Sequence, residues 1–184
     1  MRKTATVMAV LGLLILGACS RRRPPAPPVT PVSAADREDG GARPSDDEEA
    51  RRRAEEERLR EAARLRAALE AMVFFDFDDA RIRTDASGIL QQKAPILRDH
   101  PAVRLMVTGH ADERGSGEYN LALGLRRAIA VREFLVSFGI DATRITTDTM
   151  GEDRPLDTRR AEDAWARNRR AETNVVNADV LTRR

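Results

Sequence analysis

Residues 73–176 predict an α+β domain, a two-layer α/β sandwich in which alternating helices pack on one β-sheet. Three observations predict it. Segments of strand character and of helix character alternate through the span, the pattern that sets helices against a sheet. Val103, Leu105 and Val107 alternate with Arg104, Met106 and Thr108, the period of a half-buried strand. Residues 119–138 place Leu121, Leu123, Ala128, Val131, Phe134, Leu135 and Phe138 on one wide arc at about 100° per residue. That helix buries a face, and the span is long enough for one small core.

The chain opens with a segment that addresses it. Arg2 and Lys3 precede an apolar run from Ala5 to Leu16, broken only by Thr6. A bilayer span needs about 20 apolar residues, so residues 1–18 read as a secretory leader. It ends in Leu16-Gly17-Ala18-Cys19, and Cys19 is the single cysteine, which leaves no internal disulfide. The four residues resemble the lipobox of bacterial lipoproteins. That resemblance implies acylation of Cys19 and, with the non-acidic Ser20 next, sorting to the outer membrane facing the periplasm. Residues 19–45 follow as a linker: five prolines between Pro24 and Pro31 favour extended polyproline II, which suits reach from a membrane surface.

Residues 46–72 predict one long charged helix, with Ser45 as N-cap and Glu48 three residues on. Glu48–Arg52, Glu49–Arg53 and Glu56–Arg60 stand in the favourable i,i+4 order. Only Leu59, Ala62, Leu65, Leu69 and Met72 fall at helical apolar spacing, which predicts a solvated stalk whose last turns dock on the domain. Within the domain, Val73–Phe77 reads as a strand. Thr84 caps a helix to about Asp99, which Pro95 interrupts. The strand at 103–108 leads to the 119–138 helix, stopped at Gly139. A strand at Ile145–Met150, a helix at 158–167 and a strand at Arg170–Val176 complete the order. Residues 177–184 read as a frayed tail.

The composition excludes several functions. The formal net charge is +2, all of it supplied by Arg2 and Lys3 in the leader. Arginines are interleaved with acids throughout, with no basic face carrying spaced aromatics, so no nucleic-acid partner is expected. His110-x-Asp112 has the spacing of a metal pair, yet His100 is the only other histidine and Cys19 is assigned elsewhere; no metal and no cofactor are expected. Ser116 lies near His110 without an orienting third group, and Asp76-Phe77-Asp78-Asp79 lacks a phosphate-binding loop. An enzyme is not expected.

The chemistry concentrates in residues 107–131. A strand runs into the charged loop His110-Ala111-Asp112-Glu113-Arg114, and the next helix carries Arg127 near the middle of its apolar arc, with Arg126 turned away. An arginine on a core-facing arc needs a partner, because an unpaired buried charge is costly. Two readings stand: Arg127 and Asp112 form a structural ion pair, or Arg127 offers its planar fork to a ligand carboxylate while Asp112 receives an ammonium.

These residues carry a resemblance. Phe75-Asp76-Phe77-Asp78, the run Gly109 to Gly115 with Glu118-Tyr119-Asn120 and Leu123 to Ala128, and Asn168-Arg169-Arg170-Ala171 resemble the OmpA-like family, and within it the peptidoglycan-associated lipoproteins. The resemblance covers residues 73–176. It implies one mixed sheet and non-covalent binding of peptidoglycan through the diaminopimelate of its stem peptide. It also implies that Asp112 and Arg127 hold the amino and carboxylate ends of diaminopimelate, that Phe77 and Asp78 line the same pocket, and that Asn120 and Arg170 form its walls. Such lipoproteins tether the outer membrane to the wall within the Tol-Pal system of envelope integrity and cell division, with a TolB-like propeller as partner. Here the loop at 156–163 is charged, and Trp165 stands where a tyrosine is common. These departures bear on the Tol partner more than on the wall. The alternative is a wall anchor of another envelope machine that uses the 46–72 helix to bind a partner.

Overall fold

A computed structural model describes residues 45–182; the leader, Cys19 and the proline-rich linker lie outside the described residues. Four strands, β1 (Val73–Phe74), β2 (Leu105–His110), β3 (Ile145–Gly151) and β4 (Arg170–Val175), form one sheet in the order β1-β4-β2-β3. β2 and β3 run parallel, and β4 runs antiparallel to both of its neighbours. The sheet is therefore mixed, and the helices α1 (Asp46–Glu70), α2 (Thr84–Asp99), α3 (Gly117–Ser137) and α4 (Glu162–Asn168) accompany it. This is the expected α+β fold.

The period of two decides which residues enter the core. Leu105 and Val107 are fully buried, whereas Met106 between them is exposed. α3 answers with Leu123, Ala128, Val131 and Leu135, all buried. One close approach fixes its height: a Cβ at Gly109 would fall onto the Gly124 carbonyl, and one at Gly124 would meet the Thr149 hydroxyl. Two glycines thus bring α3 backbone to backbone against β2, with the Thr149 hydroxyl donating to Leu121 O at 2.9 Å.

Several elements differ from expectation. β1 stops at Phe74, because after Phe75 N–H reaches Arg169 O at 2.9 Å the chain turns away, with Asp78 in the left-handed region at φ 53°. α2 has no side-chain cap; Arg83 precedes it and Thr84 is its first helical residue. It runs on through Pro95 to Asp99. α4 begins at Glu162 and not at 158, since the Asp157 carboxylate draws Arg159 N–H into a turn at 3.0 Å. Residues 177–182 of the tail are not frayed. Asn177 accepts from Arg104 N–H and donates to Ala102 O, and a short 3-10 turn over Ala178–Leu181 buries Leu181 in the core.

α1 is two things in one helix. Its start carries the reciprocal capping box, Ser45 with Glu48, and this use of Glu48 replaces the expected pairing with Arg52. Glu49–Arg53 and Glu56–Arg60 pair as expected. Its end docks: Ala62 and Leu69 are buried and Leu65 packs beside them in the main core, while Leu59 is half exposed. The core thus extends past residue 73 on one side and residue 176 on the other.

Candidate ligand-binding site

The site lies at the end of β2, where the strand passes into the 111–116 loop and α3 begins. Ser116 caps α3 through Tyr119 N–H. Arg127, three turns on, is fully buried, and its guanidinium spans the gap between α3 and two loops. Nε donates to Asp79 O at 2.9 Å, Nη1 to His110 O at 2.7 Å and Nη2 to Asp76 O at 3.0 Å. A guanidinium has five N–H groups, so two remain. Burial pulls its pKa down to about 10, opposed by the charges of Asp112 and Asp79; at neutral pH it stays a cation.

Asp112 does not form the structural ion pair with Arg127. Its carboxylate accepts from Arg114 Nη2 at 2.7 Å and Arg114 Nε at 3.1 Å, and from Arg169 Nη1 at 3.1 Å. Burial pushes this carboxyl up, and the Arg114 and Arg169 hydrogen bonds outweigh it, so the group lies below the usual carboxylate range. Arg114 also stacks between two rings, 4.0 Å from the centre of Phe77 and 4.4 Å from that of Trp165.

These groups enclose a cavity of about 180 Å³ lined by Phe77, Asp78, Asp112, Arg114, Tyr119, Asn120 and Arg127 among others. Five of the six residues expected here are therefore brought together. The Tyr119 phenol donates to Asp78 across the opening, which holds the phenol above its ordinary pKa. Asn120 donates to Arg114 O at 3.3 Å and to Glu152 at 2.5 Å, fixing the loop floor. Phe77 is more than half exposed at the rim.

Arg170 is the exception. Its guanidinium turns to Glu172 at 2.6 Å and to Arg154 O at 3.1 Å, and it does not line the cavity. The preceding residue reaches the site instead, through Asp112 and without lining the cavity itself. Arg169 donates to Phe75 O, Asp112 and Glu162, and sequence reasoning missed it because two adjacent arginines at the start of a strand face opposite ways. Arg114 was missed as well; a loop arginine two residues from the acid, with aromatic residues nearby, was its only signal. His110 faces away from this cavity: its imidazole is buried without a hydrogen-bond partner, 3.8 Å from Glu172. Burial, reinforced by Arg170, lowers its pKa to about 4, so it is neutral at neutral pH. Asp112 is engaged by two arginines, whereas His110 lies beside Glu172.

Comparison with known proteins decides the family. The sequence profile of the OmpA family matches residues 74–169. The chain belongs to the OmpA family. Relatives named peptidoglycan-associated lipoprotein include those of Brucella melitensis, 46% identical over 101 residues, and of Agrobacterium fabrum, 48% identical over 108 residues. The first alignment covers 55% of this chain and 60% of the relative, the second 59% and 61%, so the chain spans about three fifths of these curated relatives. The crystal structure of the peptidoglycan-associated lipoprotein from Burkholderia pseudomallei is similar, with a TM-score of 0.56 at 38% identity, over 56% of this chain and 88% of that one. The C-terminal domain of Helicobacter pylori MotB shares the fold at a TM-score of 0.53 and 19% identity, over 61% of this chain and 91% of that one.

Proposed function

We propose that this OmpA-family chain is a lipid-anchored, non-catalytic protein of the outer membrane that grips peptidoglycan and tethers the membrane to the wall. The observation that carries the reading is Arg127: a guanidinium that lines the cavity, is fixed by three carbonyls, stays charged at neutral pH and has two N–H groups that those carbonyls do not use. A preorganised fork of that kind suits a carboxylate. Asp112 and Asp78 supply negative charge across the same cavity, which suits an ammonium beside that carboxylate. The diaminopimelate of a stem peptide carries both groups. Asn120 and Phe77 position and wall the ligand; Arg169, in place of Arg170, orients Asp112. Acylation at Cys19 would provide the membrane end, and residues 19–61 the reach.

The names and similarity of the relatives support a wall anchor. A role in the Tol-Pal system, through a TolB-like propeller, is the narrower part of the proposal. The first half of α1 is exposed on every side, its charges paired along the helix, which favours reach over a partner surface. Sedimentation of the whole chain with purified peptidoglycan tests the reading. The chain is expected in the pellet and is expected to leave it when free diaminopimelate is added. Pelleting that diaminopimelate does not displace refutes the pocket assignment.

A further inference from the structure

The carboxylate of Asp112 is already full. Its Oδ1 accepts from the Arg114 backbone N–H and from Arg114 Nε, both at 3.1 Å, and its Oδ2 from Arg114 Nη2 and Arg169 Nη1. A carboxylate has roughly four lone-pair sites, and Asp112 is 4% exposed. A ligand ammonium reaches it only if a donor leaves. Arg169 is tied down, nearly buried and bonded to Phe75 O and Glu162 as well. Arg114 is the donor that faces solvent, its side chain 30% exposed against 7% for Arg169, so it is the one that can leave at the smaller cost. It also has somewhere to go. Glu162 already sits 3.2 Å from Nη1, so a guanidinium that leaves Asp112 and slides off the Phe77 and Trp165 rings, now 4.0 and 4.4 Å from its carbon, keeps a carboxylate partner.

We propose that Arg114 is a built-in occupant of the ammonium seat and a specificity-determining residue, displaced by the ligand's own cation. The proposal rests on the diaminopimelate reading of the pocket. The exchange is cation for cation, so Asp112 is never left unpaired in a desolvated site. A neutral or anionic group has nothing to give Asp112 in return for the guanidinium. With Arg127 on the same cavity, the seat selects a ligand that carries an ammonium beside a carboxylate.

Calorimetric titration of the whole chain with meso-diaminopimelate tests this, read beside the emission of Trp165, the only tryptophan. Arg114→Gln is expected to bind about three- to five-fold tighter than the wild type, the range for releasing a partly exposed ion pair. In the wild type, diaminopimelate is expected to change Trp165 emission as the cation on its face moves; pimelate, which lacks the ammonium groups, is expected to leave it unchanged. Arg114→Lys, which retains the charge but neither chelates nor stacks as a plane, is expected to fall between the two and serves if the glutamine variant melts early. Weaker binding by both variants, or wild-type binding with silent Trp165, overturns the exchange and leaves the pocket reading intact. Absence of diaminopimelate binding in wild type and variants alike overturns both.

Discussion

Arg127 and Lys93 are both fully buried cations by sequence, and they have opposite fates. Lys93 sits where the end of α1, α2 and β4 meet, its Nζ 2.7 Å from Ala71 O and 3.0 Å from Thr173 Oγ1. Burial drives its pKa down to about 7, with only Glu70 opposing. The two acceptors match the two N–H groups of a neutral amine, the form favoured above about pH 7. Arg127 has three carbonyls and the fields of two carboxylates, keeps its charge and retains two N–H groups. Burial alone does not make a ligand site. What makes one is a charge that the scaffold stabilises but does not saturate. Arg144 shows the intermediate case: it holds Leu97 O, His100 O and Val103 O in the same three-way fork, closing the end of α2 away from the cavity that Arg127 lines.

The largest expected effect breaks the comparison at Arg127. Arg127→Ala is expected to weaken diaminopimelate binding by about 2–5 kcal/mol, the range for truncating a desolvated charge contact, or about 30-fold and more. It also orphans the buried His110 carbonyl, which lowers unfolding free energy by about 1–3 kcal/mol. Titration at a temperature where the variant is folded separates the two. A folded Arg127→Ala that binds normally would make Arg127 a purely structural buried residue like Lys93.

Lys93 gives the next effect, in stability and not in binding. Its folded pKa lies below the ordinary 10.5, so the unfolded chain holds the proton through the window between. Stability from this group is therefore present above about pH 10.5 and is lost as pH falls towards about 7. Unfolding free energy is expected to rise from pH 7 to 10 in the wild type and to stay flatter in Lys93→Met, by denaturant titration at each pH. Wall binding by Lys93→Met at a fixed pH is expected to match the wild type. A wild-type profile without that rise means the ammonium stays charged in the core.

The two cations were unequally legible. Arg127 announced itself, because a charge on the apolar arc of a strong helix has to be explained. Lys93 did not, since a lysine in a helix weakened by Gly88 and Pro95 reads as surface until α1 closes over it. The alternation of elements was legible from periodicity, as were the capping box at Ser45 and the docked end of α1. Pairing decided the rest. Phe75 and Phe77 are strand formers at alternate positions, yet the left-handed Asp78 and the carbonyls that Asp76 and Asp79 present to Arg127 need a turn there. The choice of Arg169 over Arg170 as the partner of Asp112 depends on where β4 enters the sheet, a register that local sequence does not carry.

The smallest effect is expected one residue from the largest. Arg126 is exposed on α3, its guanidinium 5.5 Å from the Tyr119 ring centre, and it holds no backbone carbonyl in the loops. Arg126→Ala is expected to shift stability by less than about 0.5 kcal/mol and binding by no more than about two-fold, since an exposed cation–π contact is weak. Its effect should be visible in one place. Tyr119 is the only tyrosine; Asp78 raises its pKa and Arg126 opposes that rise. Removing Arg126 is therefore expected to move the phenol's titration further up, read by ultraviolet absorbance against pH. An Arg126→Ala chain as defective in binding as Arg127→Ala would mean that the pocket feels charge from the whole helix end, and that the three-carbonyl fork is not what sets Arg127 apart.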